Sequence, residues 1–404
     1  MHVAAINAPD LLLPLWRGTM RCDPTDDKEN WDWVVLIGDV WTAHGKAVAD
    51  SLPHLPGSFD RPPRNPAEKI NTGYKAWEFL LYIFGLCPAL LHGILPDKYW
   101  SNFCRLVRGI RLMTQHIITK EDLREAHMHL LTWERDFELL YYQRRLDHLH
   151  FIRPVTHAIT HLATETRTIG NLGQEIRQPS NPYANLSSRA VHRAQVNALK
   201  AMIPDLEPEG NSVPRGAQVL GDGFILLRAT ERTSHPINQS EVAAYQQYFN
   251  GMNIPHSIFR WARLRLPNGQ VARSAWKEIL KPIDRLRMAR FVKLKIDGEL
   301  RFAEVKYYAR IKVNADFETI ACISLFSQPD QQLLRLSWHT ILSCIPQNDI
   351  QIVDVKSILS VVAMVPHQVH TLGDMERYFV VEKPGLDVAT ISGWEEATVD
   401  DDLD

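Results

Sequence analysis

The amino-acid sequence predicts an α+β fold, and three observations carry the prediction. Between about residues 71 and 202, apolar residues recur at helical spacing. From about residue 223 to 385 they fall in short alternating, β-branched or aromatic runs. A stretch rich in Pro, Gly and acids over 203–222 divides the two patterns. The chain has 404 residues, 45% of them apolar, which is too long for one core and ample for two or three domains.

Taken in order, residues 1–70 alternate short apolar runs with polar punctuation. The stretch LPHLPGSFDRPPRNP cannot be helical through its prolines, so this part reads as extended and turn-rich. Helices are expected over Tyr74–Leu86, Asp97–Ile117, Lys120–Leu146 and Pro154–Ala163, the third opened by Thr119 with Glu121 and Asp122 behind it. The apolar run Ala76–Leu95 is interrupted by Glu78, Pro88 and His92, so it reads as a buried helix that breaks near Gly85–Pro88, not as a membrane span. A loop rich in Pro, Ser and Asn precedes a helix expected over Ser188–Met202, ended by Pro204. Residues 203–259 are a linker with a short strand and a helix. Residues 260–385 then read as a small, basic, antiparallel β-barrel-like domain built from runs such as WARLRLP, FVKLKI and AEVKYYARIKV. The final 386–404 hold seven acids and no Lys or Arg and read as a disordered tail.

The net charge of −2 conceals this uneven distribution. Five scattered cysteines without C-x-x-C spacing argue against a disulfide framework or zinc finger and suit a reducing compartment, nuclear or cytosolic. The opening MHVAAINAPDLLLPLW lacks the basic and cleavage features of a signal peptide.

Few residues suggest chemistry. His157, His161 and Glu165 are spaced four apart, as metal ligands on one helical face would be, although packing neighbours show the same spacing. His127, His129, His148 and His150 read as surface hydrogen-bonding residues, and Asp60, Asp97, Asp136 and Asp147 lack the spacing of an acid/base pair. Gly221-Asp222-Gly223 reads as a turn, not a phosphate loop. The segment Arg260–Lys312 carries fifteen Lys or Arg against five acids, interleaved with Trp and Tyr, and this mix suits neutralisation of phosphates. Its candidate DNA contacts are Arg260, Arg263, Arg265, Arg273, Lys277, Lys281, Arg285, Arg287, Arg290, Lys293 and Lys295. The alternative is a solvated basic sheet face.

The blocks LPGSFDRPPRNPAEKINTGYKAWEFLLY, GILPDKYW, ELLYYQRR (Glu138–Arg145), TIGNLGQEIRQPSNPYANLS, QVNALKAMIPDLEP and LRLPNGQVARSAWKE resemble the transposases of CACTA (En/Spm-like) elements in the form common in basidiomycete fungi. The resemblance runs from residue 1 to about 390. It implies the carboxyl-terminal part of an RNase H-like DDE transposase, in which three acidic residues hold two Mg²⁺ ions for DNA joining. On this alignment His2 stands for the His of a D-x-M-H-like motif whose Asp precedes Met1, and the first Asp lies further upstream. The segment carrying the catalytic Glu is missing where Thr164–Arg167 runs into Thr168–Ile169–Gly170. The resemblance therefore implies a catalytically inactive, transposase-derived nuclear protein with no metal cofactor of its own. It also implies retained DNA binding and association with intact transposase copies as expectations, and the interrupted apolar run leads to the expectation of no membrane partner. The alternatives are an active metal-dependent nuclease or transposase using other carboxylates, and a non-catalytic protein-interaction module.

Overall fold

A computed structural model describes residues 3–59, 61–115, 118–163, 191, 195, 213–229, 231, 233–250, 254–313, 316–367 and 376–385. The helix expected over 188–202 (apart from Val191 and Gln195), Asp60, Glu165 and the acidic tail 386–404 lie outside the described residues. Helices and antiparallel sheet make an α+β chain.

The first part is helical: α1 (Ala8–Trp16), α2 (Gly38–Asp50), α3 (Pro66–Lys69), α4 (Ala76–Phe79), α5 (Cys87–Leu90), α6 (Asp97–Met113), α7 (Lys120–Phe137) and α8 (Pro154–Thr160). Residues 1–70 are therefore not extended throughout, which corrects the expectation for this region, although within the proline-rich stretch 52–66 the described residues form 3₁₀ turns and loop until α3 opens at Pro66. Pro9 occupies the first turn of α1, where no N–H is needed, and Pro14 sits inside it. Pro14 cannot donate to the Asp10 carbonyl; the Arg153 guanidinium does so instead at 3.3 Å and also reaches the Asp10 carboxylate at 3.0 Å.

Between α4 and α5 the backbone widens into a π-helical stretch, Leu80–Leu86, so the expected break near Gly85–Pro88 is a change of winding followed by a new helix. Thr119 caps α7 through a reciprocal box with Asp122, as its sequence implies. Helix α7 continues as a π segment, Glu138–Tyr142, and stops there, four residues before the expected end at Leu146. Gln143 and Arg144 both adopt φ of 55°, which no helix continues. Helices α6 and α7 pack closely because Gly109 has no side chain: a Cβ there would lie 2.5 Å from Leu130 Cδ2.

The second part contains β1 (Gln218–Gly221), β2 (Phe224–Ala229), β3 (His235–Pro236), α9 (Gln239–Tyr248), β4 (Ser257–Ile258), β5 (Arg260–Arg265), β6 (Val271–Arg273), α10 (Ala275–Glu278), β7 (Phe291–Ile296), β8 (Glu299–Val313), β9 (Asp316–Phe326), α11 (Gln331–Leu336), β10 (Ser343–Cys344), β11 (Pro346–Asp354), β12 (Ile358–Val361), β13 (Ala363–His367) and β14 (Arg377–Val381). The long β8 pairs with β9 along one edge. That pairing has an irregularity between Val305 and Tyr307; on its other edge β8 pairs first with β7 and then with β5. The sheet path runs β1-β2-β5-β8-β7-β12. No pairing among the described residues joins β1 to β12, so the expected barrel is not closed. Bulges bend this sheet without bringing its edges into register.

One face of the sheet buries Leu226, Leu264, Val292, Leu294 and Tyr308; the other buries Tyr307, Ile311 and Ile320 under Tyr245 and Phe249 of α9 and its end. The three-stranded sheet β10-β14-β13 joins the two parts. Val365, Phe379 and Val381 enter the same apolar core as Leu81, Phe84 and Ile110 of the helices, while Met364 and Val380 face Phe291 and Phe326. Burying Phe379 alone contributes about 2–3 kcal/mol.

Candidate functional site

The histidines of α8 meet as their spacing implies. His157 and His161 share a face, with their Nε2 atoms 2.9 Å apart, and Glu134 of α7 lies 3.5 Å from His157 Nδ1. At that separation one imidazole donates to the other's lone pair, so the Nε2 lone pair of the acceptor is already used. Glu165 lies outside the described residues, and no three His, Cys, Asp or Glu are placed to hold a metal ion among the described residues.

His148 is a buried residue, not the surface group its charged neighbourhood suggests. Its ring contacts the Tyr141 carbonyl through Nδ1 and the Asp26 carboxylate through Nε2, each at 2.9 Å. Asp26, with only 1% of its side chain exposed, also accepts from Trp31 Nε1 at 2.7 Å and Arg145 Nη2 at 2.8 Å. Burial alone would raise its carboxyl. The hydrogen bonds from Trp31 and the backbone, with His148 and Arg145 nearby, outweigh it and hold Asp26 below the usual carboxylate range. This network fixes the corner of the ELLYYQRR block around Trp31, Trp33 and Phe151 and is structural. His150 bonds the Arg21 carbonyl, His129 lies against Trp338, and Asp147 pairs with Arg145, so these candidates too act in packing.

The basic candidates divide into two groups. Four hold the fold: Arg260 pairs with Glu231 at 3.0 Å, Arg287 donates to the carbonyls of Leu55 and Pro56, Arg290 lies 2.8 Å from Glu304, and Lys293 lies 2.6 Å from Glu382. Of the rest, Lys281, Arg285 and Lys295 are exposed, and Arg263, Arg265, Arg273 and Lys277 are partly exposed. In β5 and β6, Leu264 and Ala272 pair and point into the core, so the neighbouring pair, Arg263 opposite Arg273, points outward with Arg265 beside it. Cations set side by side across two strands concentrate positive potential on that face. Helix α10 follows β6 at once. Its Trp276 ring carries Lys277 Nζ at 4.5 Å on one side, and the Arg260 guanidinium lies 5.2 Å from the same ring. Lys281 and Arg285 extend the basic surface along the loop after α10, and Lys295 stands exposed on β7.

Sequence reasoning missed this loop. Ile279, Leu280 and Ile283 are 68%, 73% and 62% exposed. The available signal was the run Ile-Leu-Lys-Pro-Ile, which fits neither a helical nor an alternating period. Glu278, at the loop's base, is buried and accepts from the Ala289 N–H at 3.0 Å; burial pushes its carboxyl up. No protein-family model matches this chain, and comparison with curated proteins and with solved structures finds no match either.

Proposed function

We propose that the chain is a catalytically inactive, transposase-derived protein that retains binding to duplex DNA through the basic face of β5, β6 and the loop after α10. The observation that carries this reading is the outward cross-strand pair Arg263 and Arg273, continued by Lys277, Lys281 and Arg285 beside the half-buried Trp276. Such a surface binds phosphates largely without regard to sequence, because its contacts are charge contacts. On this reading the helices up to Thr160 are the incomplete RNase H-like part, the open sheet is the barrel-like DNA-binding part, and the protein works in the nucleus. The resemblance leaves out the segment with the catalytic Glu between Arg167 and Thr168, so no strand-joining step is assigned to the residues present.

Fluorescence anisotropy of a labelled duplex titrated with the full chain tests the proposal. With about five phosphate contacts, log K should fall with log salt at a slope of roughly −4 to −5, about 500-fold between 50 and 200 mM. Absence of binding at about 50 mM salt would overturn it.

A further inference from the structure

We infer that Ile279, Leu280 and Ile283 form an apolar wedge that enters the minor groove of the bound duplex, unstacks a base step and bends the DNA. The inference rests on the DNA-binding reading and adds a deformation to it. Three large aliphatic side chains within five residues, each more than three-fifths exposed, make a contiguous apolar tip that a folded chain does not leave in water without a partner.

The tip is built, not frayed. At its base the Glu278 carboxylate accepts from the Ala289 N–H, and Arg287 donates to the carbonyls of Leu55 and Pro56. The Met288 N–H bonds Pro53 O at 2.9 Å. Within the loop, Lys281 N–H bonds Glu278 O at 3.0 Å and Arg285 N–H bonds Pro282 O at 3.1 Å, closing two successive turns around Pro282. The aliphatic groups are thus held outward by a fixed stem, and little order has to be created on binding.

The charge around the tip selects the partner. Lys277, Lys281 and Arg285 flank the aliphatics, with Asp284 the single acid between Lys281 and Arg287. The Arg273 N–H bonds Ala289 O, and the Ser274 N–H bonds Ala262 O, both at 2.9 Å, so the stem continues directly into the Arg263–Arg273 face. Cations therefore run away from the tip along the strands, as a rod-like polyanion requires; an anionic membrane would be met by cations ringing the tip alone. Side chains of Ile, Leu and Pro type, placed beside phosphate-binding cations, are the chemistry that wedges base steps apart from the minor groove.

The test uses the full chain with a duplex labelled at both ends for energy transfer and carrying 2-aminopurine at internal steps. The wild-type chain should shorten the end-to-end distance and raise 2-aminopurine emission. The variant Ile279→Ser/Leu280→Ser/Ile283→Ser, and Leu280→Ser alone as a milder change, alter only exposed groups. The triple variant should lose both signals and bind about tenfold more weakly, with the slope of log K against log salt unchanged because every phosphate-binding cation is still present. Binding by the wild-type chain without bending or unstacking overturns the wedge and leaves the DNA reading standing. So does an unaltered deformation in the triple variant. The wedge is equally overturned if the three serines abolish binding to phosphatidylserine vesicles, or self-association, while DNA deformation persists. A wild-type chain that binds no duplex overturns the DNA reading itself.

Discussion

Arg111 joins the helical part to the strands that share its core, and its removal has a calculable cost. Its guanidinium donates from Nε to Phe84 O at 2.7 Å, from Nη2 to Gly85 O at 3.1 Å and from Nη1 to Thr340 O at 2.5 Å. The first two carbonyls lie in the π-helical stretch, where the widened winding leaves them in need of donors; the third lies just before β10. Burial draws the guanidinium down to about 10, so it remains charged at neutral pH. The substitution Arg111→Met keeps most of the stem and removes all three bonds. An orphaned buried carbonyl costs about 1–3 kcal/mol, and since the site is only part-buried and loses the expense of holding a cation, a net loss of about 2–4 kcal/mol is expected. For 404 residues the unfolding entropy is about 0.85 kcal/mol/K, so the Tm should fall by about 2–5 °C in calorimetry. Arg108→Ala is the control one turn earlier on the same helix. It breaks a partly exposed pair with Glu125 and should change stability by less than about 1 kcal/mol. Equal Tm shifts for the two variants would refute the assignment of Arg111 as the tie between the two parts.

Gly109→Ala should destabilise the chain by about 1–3 kcal/mol in urea unfolding, because its Cβ would press on Leu130 and Ala126 O; an unchanged midpoint would mean α6 and α7 are less closely packed than described. Asp26 has a depressed carboxyl, so its contribution is present above the unfolded value near 3.9 and is lost as pH falls through its lower folded value. Asp26→Asn should therefore lower stability at pH 7 by about 2–4 kcal/mol and flatten the acid limb of a stability–pH curve, and parallel wild-type and variant curves would count against the network. The purified chain should leave a labelled duplex intact with Mg²⁺ or Mn²⁺; cleavage that vanished in His161→Ala would show that the His157–His161 pair belongs to an active site.

The elements most legible in the sequence were those whose local signals coincide. Thr119 followed by Asp122 gave a helix start, and the run WARLRLP gave the strand Arg260–Arg265. Long-range partners were not legible. The alternation over Ala363–His367 and Arg377–Val381 reports burial but cannot report that Val365 and Phe379 face the helices while Met364 and Val380 face the sheet. Helix α1 was not expected from the sequence, and the side chain that bonds the carbonyl Pro14 leaves without a donor, Arg153, lies far along the chain. The end of α7 was set too late because Leu146 continues an apolar period that Gln143 and Arg144 interrupt through backbone conformation alone. Among the basic candidates, residue type could not separate Arg287 and Arg290, which serve the fold, from Arg273 and Lys281, which reach solvent.

The claim that this basic face binds duplex phosphates is tested most directly by comparing the salt dependence of binding between the wild-type chain and Arg273→Glu/Lys281→Glu. Both cations lie near the buried Glu278 carboxylate, so the variant's fold is checked by circular dichroism before its binding is compared. Binding should be weaker at every salt concentration, and the slope of log K against log salt should be reduced in magnitude by about 2, one unit for each phosphate no longer neutralised. A folded variant that binds with the wild-type affinity and slope would contradict it.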